Sequence, residues 1–600
     1  MRLRPLCLAL ALAFPLIASA STVAETPAAS VPAAQKAQQL EALYAEYWEE
    51  SLKLNPVQAT FVGDSRYNDQ LPDFGSAEYR AQTRAFIERW LAKIEAISPE
   101  GLDGQARLSY DIFLREQKLG LEGERFPDWQ QPLNQFYNIA GMVAQLGSGS
   151  SAQPFKTVKD YDNWLARAAR IPTIYATMQA NMREGMKSGV VQPKVLMQKV
   201  IPQLDALIND KPEETLFWQP IANLPAEFSE ADKTRLTEAY RSMIAGQMMP
   251  AYRELRRFVA DEYLPACRDT VSLSALPDGQ AWYAFRAKNS TTTDLSPAEI
   301  HDIGLKEVAR IHGEMDKVMA QVGFKGSRQE FFKFVTTDEQ FQFESEEALL
   351  KHYRGLEAKI NEKVDTLFSL KPKAAFEIRP VEPFRAKSAA GGSYMSPSED
   401  GSRPGIFYVN TYDLPSRKVW DAEALFLHEA IPGHHFQLAL QQELGELPKF
   451  RRFGGETAFA EGWGLYAESL GKDLGVYTDP YQYFGRLQAE LWRAIRLVVD
   501  TGLHSKNWSR EQVIDYMKAN SATTDTEAVS ETERYIAIAG QALAYKIGEL
   551  KIQQLRKHAQ DELGSKFDVR EFHAEVLRDG SVPLEVLEAK IERWIAARKG

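Results

Sequence analysis

The sequence predicts a mainly α-helical protein built as one large helical domain, with a small β-sheet or hairpin near residues 374–414. Over most of the 600 residues, apolar side chains recur three or four positions apart, with charged side chains between them. This spacing is typical of helices that bury one face. Neither an internal repeat nor a linker after residue 35 divides the chain, and its length allows a sizeable core.

Start signals support several of the predicted helices. Ser296, Pro297 and Glu299 supply an N-cap, a proline at the first helical position and an acid in the first turn. Asp421 is placed to cap the helix that carries a cluster of histidines. The predicted helices span residues 36–54, 76–98, 157–188, 229–262, 297–323, 345–369, 420–444, 455–474, 480–505, 539–561 and 583–598.

Residues 374–414 break the helical pattern, because they are rich in Gly, Ser and Pro and alternate in polarity. Residues 405–411 predict a strand, and residues 396–404 an exposed loop or hairpin. A small sheet directly before the histidine-bearing helix could present an edge to a substrate. A surface hairpin without a role is an equally good interpretation. On the first interpretation, Tyr394 and Asn410 are candidate substrate-binding residues.

The first twenty residues predict a secretory signal peptide. Arg2 and Arg4 precede an apolar run, and small residues end it at Ala20. Residues 21–35 are expected to be a flexible leader, so the helical domain spans residues 36–600. We therefore expect an exported protein, either periplasmic or secreted.

Charge and cysteine content exclude several functions. The formal net charge of −11 argues against nucleic acid or an anionic membrane as the main partner. Cys7 lies too early in the apolar run to be a lipidation site, and no later run is long enough for stable membrane insertion. Cys267 is left without a cysteine partner in the exported chain, and we expect it to be a buried apolar residue.

Three of the nine histidines fall within eight residues, at His428, His434 and His435. In the common His-Glu-x-x-His zinc motif the two histidines lie four residues apart on one helix face, but Pro432 occupies that position here. On a straight helix, neither His434 nor His435 could share an ion with His428. Pro432 would collide with the His428 carbonyl, and Gly433 allows unusual dihedrals. A helix bulge at Pro432-Gly433 is therefore predicted, which would bring His434 beside His428.

A catalytic zinc ion takes three protein ligands, and we predict His428, His434 and Glu461. Glu461 lies between Ala460 and Gly462, whose small size allows a close helix approach, and a carboxylate there is costly unless it is paired or bound to a cation. His435 is the alternative second ligand. If His434 is the ligand, His435 is expected to lie in the shell of residues around the metal ligands. Glu456 and Glu468 are alternative third ligands, although Glu468 is better suited to orient a ligand histidine.

Other residues are candidates for catalysis and substrate binding. Glu429 points away from the ligand direction of His428 and is the predicted general base for water activation. Tyr535 is the first candidate for the oxyanion donor, followed by Tyr394 and His504. Arg534 could bind a substrate carboxylate. Each has a structural alternative. Tyr535 could pack in the core, and Arg534 could form a surface ion pair. His504 and Asp500 could support the metal ligands together, or they could form only a structural hydrogen bond.

These motifs resemble the DUF885 family, bacterial and often exported proteins grouped with gluzincin-like metallopeptidases. Ala539 departs from the family pattern, where proline is expected. The resemblance covers essentially the whole exported chain. It rests on residues 428–437 (HEAIPGHHFQ), 461–468 (EGWGLYAE), 496–504 (RLVVDTGLH), 540–548 (GQALAYKIG) and 404–411 (PGIFYVNT).

The resemblance implies a mostly helical fold with a central cleft, similar to the carboxypeptidase and oligopeptidase families that enclose zinc in a helical channel. Combined with the motif, it leads us to expect a zinc-dependent hydrolase with one Zn²⁺ per chain, most simply a peptidase that cleaves short peptides. A zinc amidase acting on cell-wall peptides or other amides is an alternative. So is a non-catalytic helical binding protein whose motif has decayed.

Overall fold

Helices dominate the computed structural model, as the sequence predicts, and the model describes residues 32–381, 386, 389–397 and 404–599. The predicted signal peptide and most of the leader lie outside the described residues, as does most of the predicted loop at 396–404. The first described helix begins at Ala33, three residues before the predicted start of the helical domain.

The first part of the chain forms helices α1 to α16. Two π-helical stretches, Ile244–Met248 and Phe258–Tyr263, connect α10 with α11 and α11 with α12. The helices are α1 (Ala33–Leu54), α2 (Pro56–Phe61), α3 (Ala77–Glu95), α4 (Gly104–Gly123), α5 (Ile139–Gly147), α6 (Val158–Ala168), α7 (Ile171–Ser188), α8 (Lys194–Asp205), α9 (Gln219–Ala222), α10 (Glu230–Met243), α11 (Met249–Arg257), α12 (Leu264–Ala266), α13 (Gly279–Thr291), α14 (Pro297–Gln321), α15 (Arg328–Thr337) and α16 (Glu346–Asn361).

A sheet and ten further helices complete the described chain. The sheet contains β1 (Phe376–Pro380), β2 (Gly392–Met395) and β3 (Gly405–Val409). The helices are α17 (Ala422–Glu429), α18 (His434–Glu443), α19 (Lys449–Arg452), α20 (Thr457–Ser469), α21 (Pro480–Lys506), α22 (Arg510–Asn520), α23 (Asp525–Ala537), α24 (Ala544–Leu563), α25 (Val569–Leu577) and α26 (Leu584–Lys599).

Local signals at the helix starts were only partly right. The capping box at Ser296 and Glu299 is confirmed, with each side chain bonded to the other's backbone amide. Asp421 does precede α17, but the predicted cap is wrong, since its side chain makes no cap hydrogen bond. The predicted helix 157–188 divides into α6 and α7, with Pro172 in the first turn of α7.

The sheet confirms the predicted β region and lies against the histidine-bearing helices. Its order is β1-β3-β2, with β3 parallel to β1 and antiparallel to β2. Every residue of the central strand β3 is buried. Strand β2 therefore forms one edge of the sheet, and its Tyr394 pairs with Phe407 of β3.

Two helix contacts position the site. The long helix α21 packs along α14, and α20 crosses α24. At that crossing Gly462 meets Gly548 so closely that a Cβ on Gly462 would lie 2.5 Å from the Gly548 Cα atom. The small residues beside Glu461 thus allow the close helix approach expected from the sequence.

Cys267 is a free, buried cysteine, as predicted, and burial raises the pKa of its thiol to about 12. Across the described ranges, no helix combines the length and apolar character needed to cross a bilayer.

Candidate metal centre

The helix that carries the histidines is interrupted after Glu429. Helix α17 ends there and α18 begins at His434, so residues 430–433 form a turn with a cis Ile431–Pro432 peptide bond. The predicted distortion therefore falls at the expected place, but it is a complete break between two helices and not a bulge within one. Glycine is required at 433, because a Cβ there would lie 1.9 Å from the His428 carbonyl oxygen.

Helix α20 holds this turn in place. The indole Nε1 of Trp463 donates a hydrogen bond of 2.8 Å to the Pro432 carbonyl, and Trp463 is fully buried. Since Glu461 lies two residues before Trp463, the contact that fixes the turn also fixes the distance of this carboxylate from the histidines.

The break brings three predicted ligands together. The Nε2 atom of His428 lies 3.4 Å from Oε2 of Glu461, and Nε2 of His434 lies 3.6 Å from the same oxygen. The two imidazole rings are nearly perpendicular, with centroids 4.7 Å apart. In the described ranges, His428, His434 and Glu461 are the one group of three or more His, Cys, Asp or Glu whose possible ligand atoms all lie within 4.8 Å of one another.

His428 is oriented from behind by Glu468, as the sequence analysis suggested for this residue. Its Nδ1 atom lies 2.8 Å from Oε1 of Glu468, and both side chains are buried. A proton on Nδ1 would leave Nε2 with a lone pair directed toward the group of ligand atoms. Gly464 gives the ring its space, because a Cβ on Gly464 would lie 2.7 Å from the His428 Cε1 atom.

The three groups form an electrostatically coupled set. Burial lowers the pKa of His428, but hydrogen bonds to Glu461 and Glu468 outweigh burial and raise it to about 9. Burial raises the pKa of Glu461, but hydrogen bonds to His428 and His434 hold it well below its usual value. Without a metal, the carboxylates therefore hold a proton on His428.

This donor set fits a zinc ion. Two imidazole nitrogens and one carboxylate oxygen are the ligands of a common type of catalytic zinc site. Tetrahedral bonds of about 2.0–2.1 Å place neighbouring ligand atoms about 3.3 Å apart. The separations of 3.4 and 3.6 Å are close to that value. A fourth position would be left for water or substrate.

Two uncommitted groups accompany the triad His428, His434 and Glu461. Glu429, the last residue of α17, is half-buried and makes no hydrogen bond or ion pair with any described residue. The ring of Tyr545 on α24 stacks at 6.5 Å from the His428 ring, and its charge environment includes Glu461. The Tyr545 hydroxyl likewise has no hydrogen-bond partner in the described part of the chain.

The side chains of Tyr535 and Arg534 form hydrogen bonds with residues outside the triad. The Tyr535 hydroxyl donates to Glu531 at 2.7 Å and accepts from Arg496, and the side chain is buried. Arg534 donates to Glu531 and to Gln541. The geometry gives Tyr535 no free hydroxyl for an oxyanion and does not support Arg534 as an open carboxylate-binding residue.

The remaining predicted residues near the sheet support the structure around the triad. His435 points away from it, and its Nδ1 lies 2.9 Å from the Tyr394 hydroxyl on β2. Burial lowers the pKa of His435 to about 4. The Asn410 amide donates to the carbonyls of Ala386 and Ala389. His435 is thus separated from the ion site, and Asn410 holds a loop and offers substrate no free amide.

His504 and Asp500 are buried structural groups on α21. His504 accepts from the Leu273 amide and donates from Nε2 to the Tyr535 carbonyl. Asp500 accepts from the Tyr283 hydroxyl and the Gly540 amide. Both residues form their hydrogen bonds with groups outside the triad, so the structure does not bring His504 to the ligands as the prediction supposed. The ordinary alternative, a structural role, fits the geometry.

The Glu456 carboxylate, an alternative ligand, pairs instead with Arg115 at 2.9 Å. Two adjoining cavities of about 400 and 450 Å³ lie here between α4 and α13 and share Arg115 and Leu119. The larger one reaches Thr457 at the start of α20. The triad residues do not line these cavities.

Three residues near the triad were not predicted from the sequence. They are Tyr545, whose ring stacks on His428, Arg493, which lies 3.7 Å from Glu468, and Arg496, whose guanidinium lies 4.7 Å from the Tyr545 ring. Tyr545 lies in the 540–548 motif and Arg496 begins the 496–504 motif, so both were noted without a role. Their position could not be read from the sequence, because it depends on tertiary packing. Helices α21 and α24 approach the triad only through the helix contacts described above.

The fold and this site define a large helical protein with a two-histidine, one-glutamate candidate metal centre. The chain belongs to the family described as "Bacterial protein of unknown function (DUF885)", whose model matches residues 56–591. The family resemblance predicted from the motifs is therefore confirmed.

Two solved structures are similar to this fold. One is a protein described as a "putative lipoprotein" from Colwellia psychrerythraea, with 31% sequence identity and a TM-score of 0.88; the match covers 94% of this chain and 100% of that one. The other is described as a "putative lipoprotein of unknown function" from Shewanella oneidensis, with 20% identity and a TM-score of 0.72. That match covers 91% of this chain and 98% of the other and shows the fold alone. A comparison with curated proteins found no match.

Proposed function

We propose that this protein is a zinc-dependent hydrolase, specifically a peptidase that cleaves short peptides. The observation that carries the proposal is the convergence of His428, His434 and Glu461, from three helices, with all their possible ligand atoms within 4.8 Å of one another. The separations of Glu461 from the two histidines are close to those of a tetrahedral zinc site. The carboxylate of Glu468 behind His428 supports it, because ligand histidines usually have such a partner.

Glu429 and Tyr545, the two groups near the triad without hydrogen-bond partners among the described residues, each have one role in the proposed reaction. A bound zinc ion would polarise the substrate carbonyl and make water more acidic. The Glu429 carboxylate takes a proton from the attacking water and returns it to the leaving amine. The Tyr545 hydroxyl donates a hydrogen bond to the oxygen that gains negative charge. Glu468 keeps Nε2 of His428 directed at the metal position throughout.

The surroundings of the triad suit an extended peptide. Strand β2 is an edge strand and is joined to the histidine-bearing segment through the hydrogen bond between Tyr394 and His435. Edge strands bind extended peptides through backbone hydrogen bonds. We also propose export to the periplasm or beyond, which the description of the Colwellia psychrerythraea protein as a "putative lipoprotein" supports. The relationship to gluzincin-type peptidases stays a prediction.

Metal analysis and one substitution test the function. Protein purified without chelators should contain about one zinc per chain, and His434→Ala should lose it. His558→Ala, which removes a partly exposed histidine paired with Glu592, is the control and should keep the metal. Glu429→Gln should retain zinc and lose cleavage of a mixed peptide library.

Two results would refute the proposal. Wild-type protein without stoichiometric metal, even after zinc is supplied, would indicate a binding protein. Zinc-loaded protein that cleaves cell-wall fragments or other amides, but no peptide of the library, would indicate the amidase.

A further inference from the structure

Three arginines near Tyr545 or Asp421 each have a buried side-chain nitrogen without a hydrogen-bond partner. In the part of the chain that the structure describes, four buried arginine nitrogens make no hydrogen bond. Three of them are Nε of Arg417, Nε of Arg493 and Nη1 of Arg496. Buried polar groups in folded proteins are nearly always hydrogen-bonded. One such nitrogen on each of these three arginines therefore indicates a ligand that accepts hydrogen bonds, and an anion is best suited to guanidinium groups.

Tyr545 joins two of these arginines to the metal triad. The guanidinium carbon of Arg496 lies 4.7 Å from the centre of the Tyr545 ring, and that of Arg493 lies 5.9 Å from it. The same ring lies 6.5 Å from the His428 ring, in a stacked arrangement. Arg493 is also 3.7 Å from Glu468, the partner of His428.

Arg496 is held so that one nitrogen stays available. Its Nε donates to the Tyr535 hydroxyl at 3.1 Å and its Nη2 donates to Glu531 at 3.0 Å. The residue is only 7% exposed. Glu531 also accepts hydrogen bonds from Arg534. One carboxylate therefore pairs with two guanidinium groups, and these three side chains together carry a net charge of about +1. The residues around Arg496 thus position it for a further anion.

Arg417 approaches from the side of the sheet. Its Nη1 lies 2.6 Å from the position that a Cβ on Gly391 would take, next to the start of β2. The charges of both Arg417 and Arg493 act on the carboxylate of Asp421. Arg417 and Arg493 therefore share one carboxylate neighbour, Asp421, and Arg417 lies on the side of the start of β2.

We propose that Arg493, Arg496 and Arg417 bind the terminal carboxylate of the peptide, so that the enzyme removes residues from the carboxyl end. This inference rests on the proposed peptidase function and specifies its substrate class. Guanidinium groups match carboxylates in shape and charge. An extended chain advances about 3.3–3.6 Å per residue. A carboxylate beyond the Tyr545 ring therefore places the scissile bond one or two residues from the end.

A peptide panel tests the inference on the zinc-loaded wild-type protein. The panel contains tetraalanine as the free acid, its C-terminal amide, its N-acetylated form, and Ala-Ala-Ala-Glu amide. Cleavage of the free acid and the N-acetylated form, with release of alanine or dialanine and little action on tetraalanine amide, is the expected result.

The other outcomes separate the two proposals. Equal cleavage of acid and amide would overturn carboxyl-end recognition while leaving the peptidase function intact. Selective cleavage of the glutamate-containing amide would assign the arginines to a side-chain carboxylate and overturn terminal recognition. If zinc-loaded protein cleaves no peptide at all, the peptidase function itself fails.

Substitutions give a second, independent test. Arg496→Lys should raise KM for tetraalanine about 10- to 100-fold through the loss of a charged hydrogen bond, with metal content unchanged. Arg493→Lys is the second variant in case Arg496→Lys does not fold. Arg510→Lys, which removes a guanidinium paired with Glu533, is the matched control.

Binding without turnover completes the test. Tetraalanine binding to zinc-loaded Glu429→Gln, measured by calorimetry, should weaken by the same factor when Arg496→Lys is added, and tetraalanine amide should bind weakly to both. Unchanged affinity for the free acid in a folded Arg496→Lys protein would overturn the inference.

Discussion

Glu468 accepts a hydrogen bond from Nδ1 of His428 over 2.8 Å, and both side chains are buried. This contact fixes the ring nitrogen that faces His434 and Glu461. It would hold the His428 ring in place as a proposed ligand, although helix α17 ends one residue after His428. The pair is therefore the most direct test of how the protein prepares its metal centre.

Glu468→Gln should lower zinc affinity about 10- to 100-fold, because the amide preserves the shape but removes the charge behind His428. Competition with a chromophoric zinc chelator measures this change. Glu592→Gln alters another glutamate that pairs with a histidine, His558, at an exposed position, and should leave affinity unchanged. Equal affinities for wild type and Glu468→Gln would show that the contact does not orient a ligand.

Zinc affinity should rise with pH up to about 9. In the metal-free protein, burial lowers the pKa of His428, but the hydrogen bonds to Glu461 and Glu468 outweigh burial and raise it to about 9. Below this pH, zinc must displace the proton from His428, so affinity falls about tenfold per pH unit for one displaced proton. Chelator competition between pH 6 and 9 measures the slope. Calorimetry in buffers of different ionisation enthalpy counts the protons released, and a flat profile with no proton release would contradict the prediction.

Gly464→Ala should damage the metal centre from a position that offers no ligand. Its new Cβ would lie 2.7 Å from the His428 Cε1 atom, so the ring must move. Such overpacking costs about 1–3 kcal/mol of stability, and zinc content should fall with it.

Gly313→Ala is the matched control for that substitution. Gly313 lies in helix α14, and a Cβ there meets no atom within 4 Å. Alanine should stabilise this helix by about 0.5–1 kcal/mol. Gly464→Ala protein with normal zinc content and stability would show that the His428 ring has room to spare.

Tyr545→Phe should lower kcat about 10²- to 10³-fold, the usual effect of losing an oxyanion donor, with zinc content preserved. Tyr535→Phe should act differently, because the Tyr535 hydroxyl already bonds Glu531 and Arg496. It should cost about 1–3 kcal/mol of stability and change kcat only slightly. Rates with a chromogenic peptide, together with thermal unfolding, compare the two variants, and the opposite ranking in kcat would restore Tyr535 as the donor.

The proximity of His428, His434 and Glu461 could be predicted from sequence because most of its rules are local. Pro432 and Gly433 interrupt the helix for reasons of covalent geometry, and the ligand preferences of zinc then favour His434 and Glu461 as the proposed partners of His428. The form of the interruption could not be predicted, since a bulge and a two-helix break satisfy the same local constraints. The Trp463 contact that holds the break comes from a different helix.

The outer part of the site could not be predicted for a different reason. Tyr545 and Arg496 reach the triad through the crossing of α20 with α24 and the packing of α21, where backbones meet at Gly462 and Gly548. No periodicity in the chain encodes which face of one helix meets another. The same limitation explains why Tyr535, correctly placed on a helix, proved to be held by Glu531.

Asp500 should make stability depend on pH away from the metal centre. It is fully buried, and burial raises its pKa to about 7 against the hydrogen bonds from Tyr283 and Gly540. In the unfolded chain the carboxyl titrates near about 3.9. Between these values the folded state keeps a proton that the unfolded state has released, so stability falls as pH rises from about 4 to 7 and this contribution is constant above 7.

Asp500→Asn removes this titrating group, so its contribution is the difference in unfolding free energy between the variant and the wild type at each pH. Relative to wild type, the variant should gain about 1.4 kcal/mol per pH unit within that window, on top of a constant offset from its changed hydrogen bonds. Urea unfolding at intervals from pH 4 to 8 measures the difference, and Asp515→Asn, at an exposed position on α22, controls for removal of a carboxylate. A difference that stays constant from pH 4 to 7 would mean that the folded protein ionises Asp500 as readily as the unfolded chain does. The hydrogen bonds from Tyr283 and Gly540 would then outweigh burial.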